Sequence, residues 1–224
     1  MPGNLSELSA ELYYAHNGSM LSQRLTDTYL AMIPSGHHAS ILRYNRWQDR
    51  QATLFGRLLL LKALQDNYQK IGITKFHELQ LSQYGKPFIK GGPEFNISHC
   101  ENIVVLALTR NQPIGIDIEK IRSIDIKDFS KELPEVADLF KQHDNAEANH
   151  LFFDCWTRKE AVLKGFGQGL LLPLNNVVLK GSQASIKQTR WFLKKIPIDQ
   201  QYCCHIATQT PIDHVTIKSV HLIA

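Results

Sequence analysis

Between Ser40 and about Lys70, the residues Leu54, Phe55, Leu58, Leu59 and Leu61 recur at helical spacing, with Arg46, Arg50, Arg57 and Lys62 between them. That pattern predicts one long amphipathic helix, which Gly72 would stop. The chain then breaks into short runs that predict strands over Glu78–Tyr84, Pro87–Ile89, Phe95–Ser98, Asn102–Thr109 and Ile114–Glu119. The run IVVLAL at 103–108 has no polar alternation, as expected of a strand buried on both faces. Helical spacing returns within Pro134–His143 and Asn145–Gly165. The remainder, Pro173–Leu179, Arg190–Ile196, Tyr202–Thr208 and His214–Ile223, reads as strands separated by Gly, Pro and Asp turns. Helix then strands occurs twice, with the break near Asn111–Pro113, a rhythm compatible with two similar α+β halves.

Composition narrows the class. The chain has 224 residues, 43% hydrophobic and 21% charged, which suits an ordinary globular protein of one large domain or two small ones. Its longest apolar stretches, Leu58–Leu61 and Ile103–Leu108, are far below the roughly 18 residues of a membrane span. The opening MPGNLSELSAELYY has no basic segment leading into an apolar one, so the expected location is the cytoplasm. A formal net charge of +4 favours anionic partners, but no basic tract of the kind that binds nucleic acid is present. Cys100, Cys155, Cys203 and Cys204 form no C-x-x-C pair and read as free, small apolar side chains.

Three segments carry candidate chemistry. In Ile114-Gly-Ile-Asp-Ile-Glu119, a strand places Asp117 and Glu119 on one face and Ile116 and Ile118 on the other. Paired carboxylates suit a hard cation, Mg²⁺ before Zn²⁺, although an exposed polar strand face would produce the same pattern. In Phe152-Phe-Asp-Cys-Trp-Thr-Arg-Lys-Glu-Ala-Val-Leu-Lys164, a helix aligns Trp156, Glu160 and Lys164. Glu160 either pairs with Lys164 or serves as a third carboxylate while Lys164 meets a phosphate. The glycines at 165, 167 and 169 follow a helix and lack a Lys-Ser or Lys-Thr, so they form neither a P-loop nor a dinucleotide fingerprint. In Tyr84-Gly-Lys-Pro-Phe88 a tight turn presents Lys86, and Phe95-Asn-Ile-Ser-His99 ends with Ser98 and His99, both able to donate to phosphate. A serine nucleophile is disfavoured there, since neighbours in a strand face opposite ways and no G-x-S-x-G elbow exists.

GKPFI, FNISH, IGIDIEKI and FFDCWTRKEAVLKGFGQGLLLPL, in this order and spacing, resemble the 4′-phosphopantetheinyl transferases, specifically the large monomeric surfactin-synthetase-activating type. The resemblance covers about Tyr84 to Leu174, with weaker agreement over Arg43–Leu61. It implies two tandem subdomains, 1–112 and 113–224, related by pseudo-twofold symmetry, with coenzyme A in the cleft between them. It also implies transfer of the phosphopantetheine arm of coenzyme A to a serine of an apo acyl or peptidyl carrier protein, releasing adenosine 3′,5′-bisphosphate. Asp117, Glu119 and Glu160 would hold Mg²⁺, Lys164 would neutralise phosphate, and Lys86, Ser98, His99 and Lys159 would lie on the coenzyme A side. Family members often carry a basic residue where this chain has Ala52; Arg43, Arg46 or Arg50 would substitute there, and His37 stands where a Lys is frequent. Glu135, beside Pro134 at a helix start where similar enzymes place a glutamate near the metal, is the candidate base, the alternative being that it merely complements the helix dipole. A monomer is expected. The competing readings are another Mg²⁺-dependent nucleotide transferase or hydrolase, and a degenerate module that binds carrier protein without turnover.

Overall fold

A computed structural model describes residues 9–68, 76–125, 143–168 and 172–222, together with Phe129, Leu133 and Val136. The expected helix within Pro134–His143 therefore lies almost wholly outside the described residues, as do Glu135, Gly72 and Gly169.

Two sheets and two long helices organise the rest into an α+β fold. The first sheet has four strands in the order β11 (His214–Ser219), β1 (Ser9–His16), β5 (Ile103–Thr109) and β4 (Glu94–Cys100). The second has five: β6 (Ile114–Lys120), β10 (Tyr202–Thr208), β9 (Thr189–Lys195), β8 (Gln183–Ile186) and β7 (Val178–Lys180). A small hairpin of β2 (Leu79–Leu81) and β3 (Pro87–Ile89) turns at Gly85, whose φ of 80° is left-handed. Helices α1 (Gln23–Ala31), α2 (His38–Leu42) and α3 (Trp47–Tyr68) belong to the first half, and α4 (Asn145–Phe166) to the second.

Alternation along the strands builds the layers. Val104, Leu106 and Leu108 of β5 face α3, while Ile103, Val105 and Ala107 face the opposite way. There they meet Ile114, Ile116 and Ile118 of β6 with Cys204 and Ile206 of β10. The far face of the second sheet packs against Phe153, Ala161 and Val162 of α4. The order is thus helix, sheet, sheet, helix, with the chemistry-bearing face of β6 turned toward α4.

Some expectations are corrected. The helix expected from Ser40 is broken: α2 ends at Leu42 and α3 begins at Trp47, with Asn45, a poor helix-interior residue, in the break. All four leucines of Leu58–Leu61 are buried, so α3 is covered on several sides rather than along one stripe. Among the described residues strand β1 comes first, before any helix. The last strand, expected in the second half, crosses over and pairs in parallel with β1, Ser9 opposite His214. Because both faces of β1 are buried, its free edge would leave polar backbone groups without partners; β11 supplies them. Tyr13 and Lys218 reinforce the crossing: Lys218 Nζ donates to Tyr13 Oη at 2.8 Å and to Glu11 Oε2 at 3.1 Å.

Candidate active site

The site is built where α4 presses against β6. A side chain is not possible at Gly115: a Cβ there would overlap the Ala161 carbonyl oxygen and the Gly165 nitrogen, and would lie 2.9 Å from Gly165 Cα. Gly165 is equally constrained, since its own Cβ would stand 2.6 Å from the Trp191 ring. Two glycines thus let helix and strand approach backbone to backbone. Asp144 caps the start of α4 by accepting from Glu147 N, and Gly167, at φ 81°, ends it. The same helix carries Lys159, which is buried, and Glu160 and Lys164. Trp156 packs rather than reacts, stacked on Phe152 with ring centroids 5.8 Å apart.

Ile116 and Ile118 enter the central core, and Asp117 and Glu119 project from the opposite face. Asp117 is only 3% exposed, unlike the exposed strand face its pattern also allowed. Lys164 Nζ donates to Asp117 Oδ1 at 2.5 Å and to Ser98 Oγ at 2.9 Å, and Ser98 Oγ lies 3.0 Å from the same Asp117 oxygen. The ion partner of Lys164 is therefore Asp117 rather than its helix neighbour Glu160. Glu160 is buried, and that burial together with the Asp117 charge pushes its carboxyl up to about 7, against the opposing pull of Lys164. Burial and then Asp117 likewise raise Glu119. For Lys164, burial opposes the charged form, but the Asp117 carboxylate and its hydrogen bond outweigh it and the ammonium is held more firmly than usual. Three carboxyl groups and one ammonium thus form a single electrostatic unit.

The first half reaches this unit through the edge strand β4. Asn96, Ser98 and Cys100, alternate residues of that strand, face β6 together. Asn96 Oδ1 accepts from Ile116 N at 2.9 Å, and Cys100 Sγ donates to Glu119 Oε2 at 3.3 Å while accepting from Lys120 N at 3.3 Å. Sequence reading singled out Ser98 but missed Asn96 and Cys100, although their i, i+2, i+4 spacing in FNISHC was the available signal. It also missed the Gly115–Gly165 contact.

The basic residues divide. Arg46 and His99 line one cavity of about 410 Å³ with Asp49, Ala52 and Cys100, and burial followed by Lys164 lowers the basicity of His99. Arg50 lines a separate cavity and donates to the Tyr44 carbonyl oxygen at 3.3 Å, and Arg43 donates to the Tyr44 hydroxyl at 2.8 Å. Arg46 and Arg50 thus open into different cavities. Lys86 points to backbone: Nζ donates to Ile114 O at 3.3 Å and to Gly165 O at 3.4 Å, tying the first half to the C-terminal end of α4, where a cation complements the helix dipole. Burial lowers its affinity for a proton, with Glu94 opposing. His37 meets Phe76 edge-on at 5.8 Å, and burial followed by Arg57 lowers its basicity.

Whether these residues suit a metal can be judged from their donors. Asp117, Glu119 and Glu160 offer oxygen alone, and Asp117 Oδ2 is buried without a hydrogen-bond partner among the described residues. That orphaned oxygen, beside two carboxyls whose charged forms are disfavoured by burial and by Asp117, fits a hard divalent cation. Among the described residues no three His, Cys, Asp or Glu side chains are already drawn into a ligand set. Lys164 is the cation seated on Asp117.

Residues 113–214 match the family model of the 4′-phosphopantetheinyl transferase superfamily, and residues 22–111 match that of the 4′-phosphopantetheinyl transferase N-terminal region. The chain is 30% identical over 216 residues to the 4′-phosphopantetheinyl transferase ffp of Bacillus subtilis, covering 90% of this chain and 93% of that protein. Identity and coverage are the same for 4′-phosphopantetheinyl transferase Sfp of Bacillus subtilis (strain 168). To the 4′-phosphopantetheinyl transferase gsp of Aneurinibacillus migulanus it is 35% identical over 147 residues, 64% of this chain and 60% of that protein. With a transferase N-terminal match ending at Gln112's neighbour Asn111 and a superfamily match spanning both Asp117 and Lys164, the chain belongs to the 4′-phosphopantetheinyl transferases.

Proposed function

We propose that this chain transfers the 4′-phosphopantetheine arm of coenzyme A to a serine of an apo acyl or peptidyl carrier protein, with Mg²⁺ as cofactor and adenosine 3′,5′-bisphosphate as the second product. The observation that carries the reading is the meeting of Asp117, Glu119, Glu160 and Lys164 with Ser98 at the seam of the two sheets. Membership of the family supports the same reaction.

Asp117, Glu119 and Glu160 would hold the Mg²⁺, whose charge neutralises the pyrophosphate oxygens when it is bound. The other roles belong to the chain. Lys164 offers an ammonium to a phosphate oxygen, and Ser98 beside it adds a hydroxyl donor. Arg46 and His99, sharing one cavity, are the anion contacts for the nucleotide end. The carrier serine Oγ attacks the phosphorus that bears pantetheine, the P–O bond to adenosine bisphosphate breaks, and the serine proton passes to a base. Glu135 remains the proposed base; it lies outside the described residues. Residues 1–112 are read as the nucleotide-binding half and 113–224, short of the crossing strand β11, as the half with the carboxylates. Since one chain supplies both, a monomer suffices.

Incubation with coenzyme A, Mg²⁺ and an apo carrier, followed by intact-mass measurement of the carrier, tests the reading. A gain of about 340 Da, the mass of the phosphopantetheine group, is expected. Cleavage of coenzyme A with an unmodified carrier would instead indicate a hydrolase, and carrier binding without turnover a docking module. Glu135→Gln, which keeps shape and removes the proton acceptor, should lower kcat on the order of 10²-fold with coenzyme A affinity unchanged.

A further inference from the structure

We propose that His205 is a positioning residue: through Thr157 it holds α4 in the register that brings Glu160 and Lys164 to Asp117. The inference rests on the reading that those three side chains work on the transferred phosphoryl group.

His205 stands directly opposite Asp117 in the β6–β10 pair. Residues paired in this way project from the same face of the sheet, so His205 faces α4 alongside Asp117. It is 4% exposed, and its Nδ1 lies 2.8 Å from Oγ1 of Thr157, which is fully buried. Its neighbours on the same face, Cys203 and Ala207, belong to the apolar cluster packed on α4, with one weak donation from Cys203 Sγ to the His150 carbonyl oxygen at 3.9 Å. On the far side of the ring, Nε2 is 3.6 Å from Asp154 Oδ1, and Asp154 is in turn held by Arg158 at 3.6 Å and Lys195 at 3.4 Å. Burial keeps the imidazole neutral, lowering its pKa to about 4 against the pull of Asp154. A neutral ring has one N–H to give. The Thr157 hydroxyl gives its own proton to the Phe153 carbonyl oxygen, 2.7 Å away, so Nδ1–H of the ring donates to Thr157 Oγ1 and completes a chain from sheet to helix backbone.

Apolar contact between a helix and a sheet is non-directional and tolerates sliding, whereas a hydrogen bond at this distance does not. Thr157 precedes Glu160 by three residues and Lys164 by seven, one and two turns along the same side of the helix. Any slip or rotation released at Thr157 therefore reaches both groups undiminished. A displacement of about 1 Å at reacting groups costs on the order of 10²-fold in rate. The helix has a steric stop at Gly115 and Gly165, and the Thr157–His205 bond adds a polar pin near its middle.

The experiment compares Thr157→Val, which removes only the hydroxyl, with Thr157→Ser, which keeps it, and His205→Asn, whose amide occupies the place of Nδ1. Turnover per folded molecule is measured for each variant, with coenzyme A and apo carrier titrated separately. Hydrogen exchange is followed by mass spectrometry on peptides covering residues 157–165. Thr157→Val should lower kcat about 10- to 100-fold with KM for coenzyme A within about twofold, and should speed exchange in that segment. Thr157→Ser and His205→Asn should recover most of both. Should Thr157→Val fail to fold, Thr157→Ala replaces it. A disrupted variant with wild-type kcat per folded molecule overturns the proposal and leaves His205 a core residue. So does a Thr157→Ser protein as slow as Thr157→Val. Glu160→Gln, run beside them, separates the two readings: if it keeps full activity, the proposed function of the site fails. If it is inactive while Thr157→Val is normal, only the positioning role fails.

Discussion

Replacing Gly115 by alanine adds one methyl group at the tightest contact between α4 and β6. The new Cβ would lie 2.9 Å from Gly165 Cα and inside the Ala161 carbonyl oxygen, and all of these neighbours are backbone. No side chain can rotate away, so the helix must retreat by about 1 Å, a displacement that at reacting groups costs on the order of 10²-fold in rate. Overpacking of this kind costs about 1–3 kcal/mol, which for a chain of this length lowers Tm by roughly 2–10 °C. The larger effect is on catalysis, because Glu160 and Lys164 ride on the same helix while Asp117 stays on the strand. At a temperature where the variant is fully folded, kcat for carrier modification should still fall about 10²-fold. Gly36→Ala is the control: nothing lies within 4 Å of its Cβ, and its stability should change by no more than about 0.5 kcal/mol. Thermal melts by circular dichroism and carrier modification by intact mass give both quantities. A Gly115→Ala protein with the melting temperature and kcat of the parent would refute the close-contact account of how the site is assembled.

Asp117→Asn should abolish nearly all turnover, and chelator should silence the parent protein until Mg²⁺ is returned; full activity in chelator would exclude the metal reading. Lys86→Met keeps the apolar stem but strands the Ile114 and Gly165 carbonyls, so urea unfolding should show a loss of about 1–3 kcal/mol, and an unchanged midpoint would remove the clamp role. His205 gives a pH signature. Its folded pKa of about 4 lies below the ordinary 6.5, so the folded protein binds fewer protons than the unfolded chain between those values. Its contribution is present above pH 6.5 and is lost as pH falls toward 4, on the order of 1 kcal/mol per pH unit. His205→Asn should flatten that part of a Tm-against-pH curve, and an identical slope would show that the ring is not held neutral.

Local period was legible in the sequence, and pairing at a distance was not. Alternation in IGIDIE was enough to say that Asp117 and Glu119 leave one face of a strand and Ile116 and Ile118 the other, because strand geometry alone dictates it. Helical spacing located α4 to within a residue of its end, and Tyr202–Thr208 was bounded as the structure has it. The first forty residues offered no such period, and β1 and α1 went unread there. Nothing in the spacing could say that Lys164 would take Asp117 in place of Glu160, four residues away, since that choice depends on a strand 47 positions earlier lying against the helix. The same holds for Lys86, whose partners are 28 and 79 residues distant, and for Arg46 and Arg50, adjacent turns that open into different cavities. His205 looked like any other histidine until β10 set it opposite Asp117 and under Thr157. Side-chain periodicity is a property of the local backbone and is written in the chain. Which charges share a buried space depends on how the sheets and helices pack, and only the folded structure decides that.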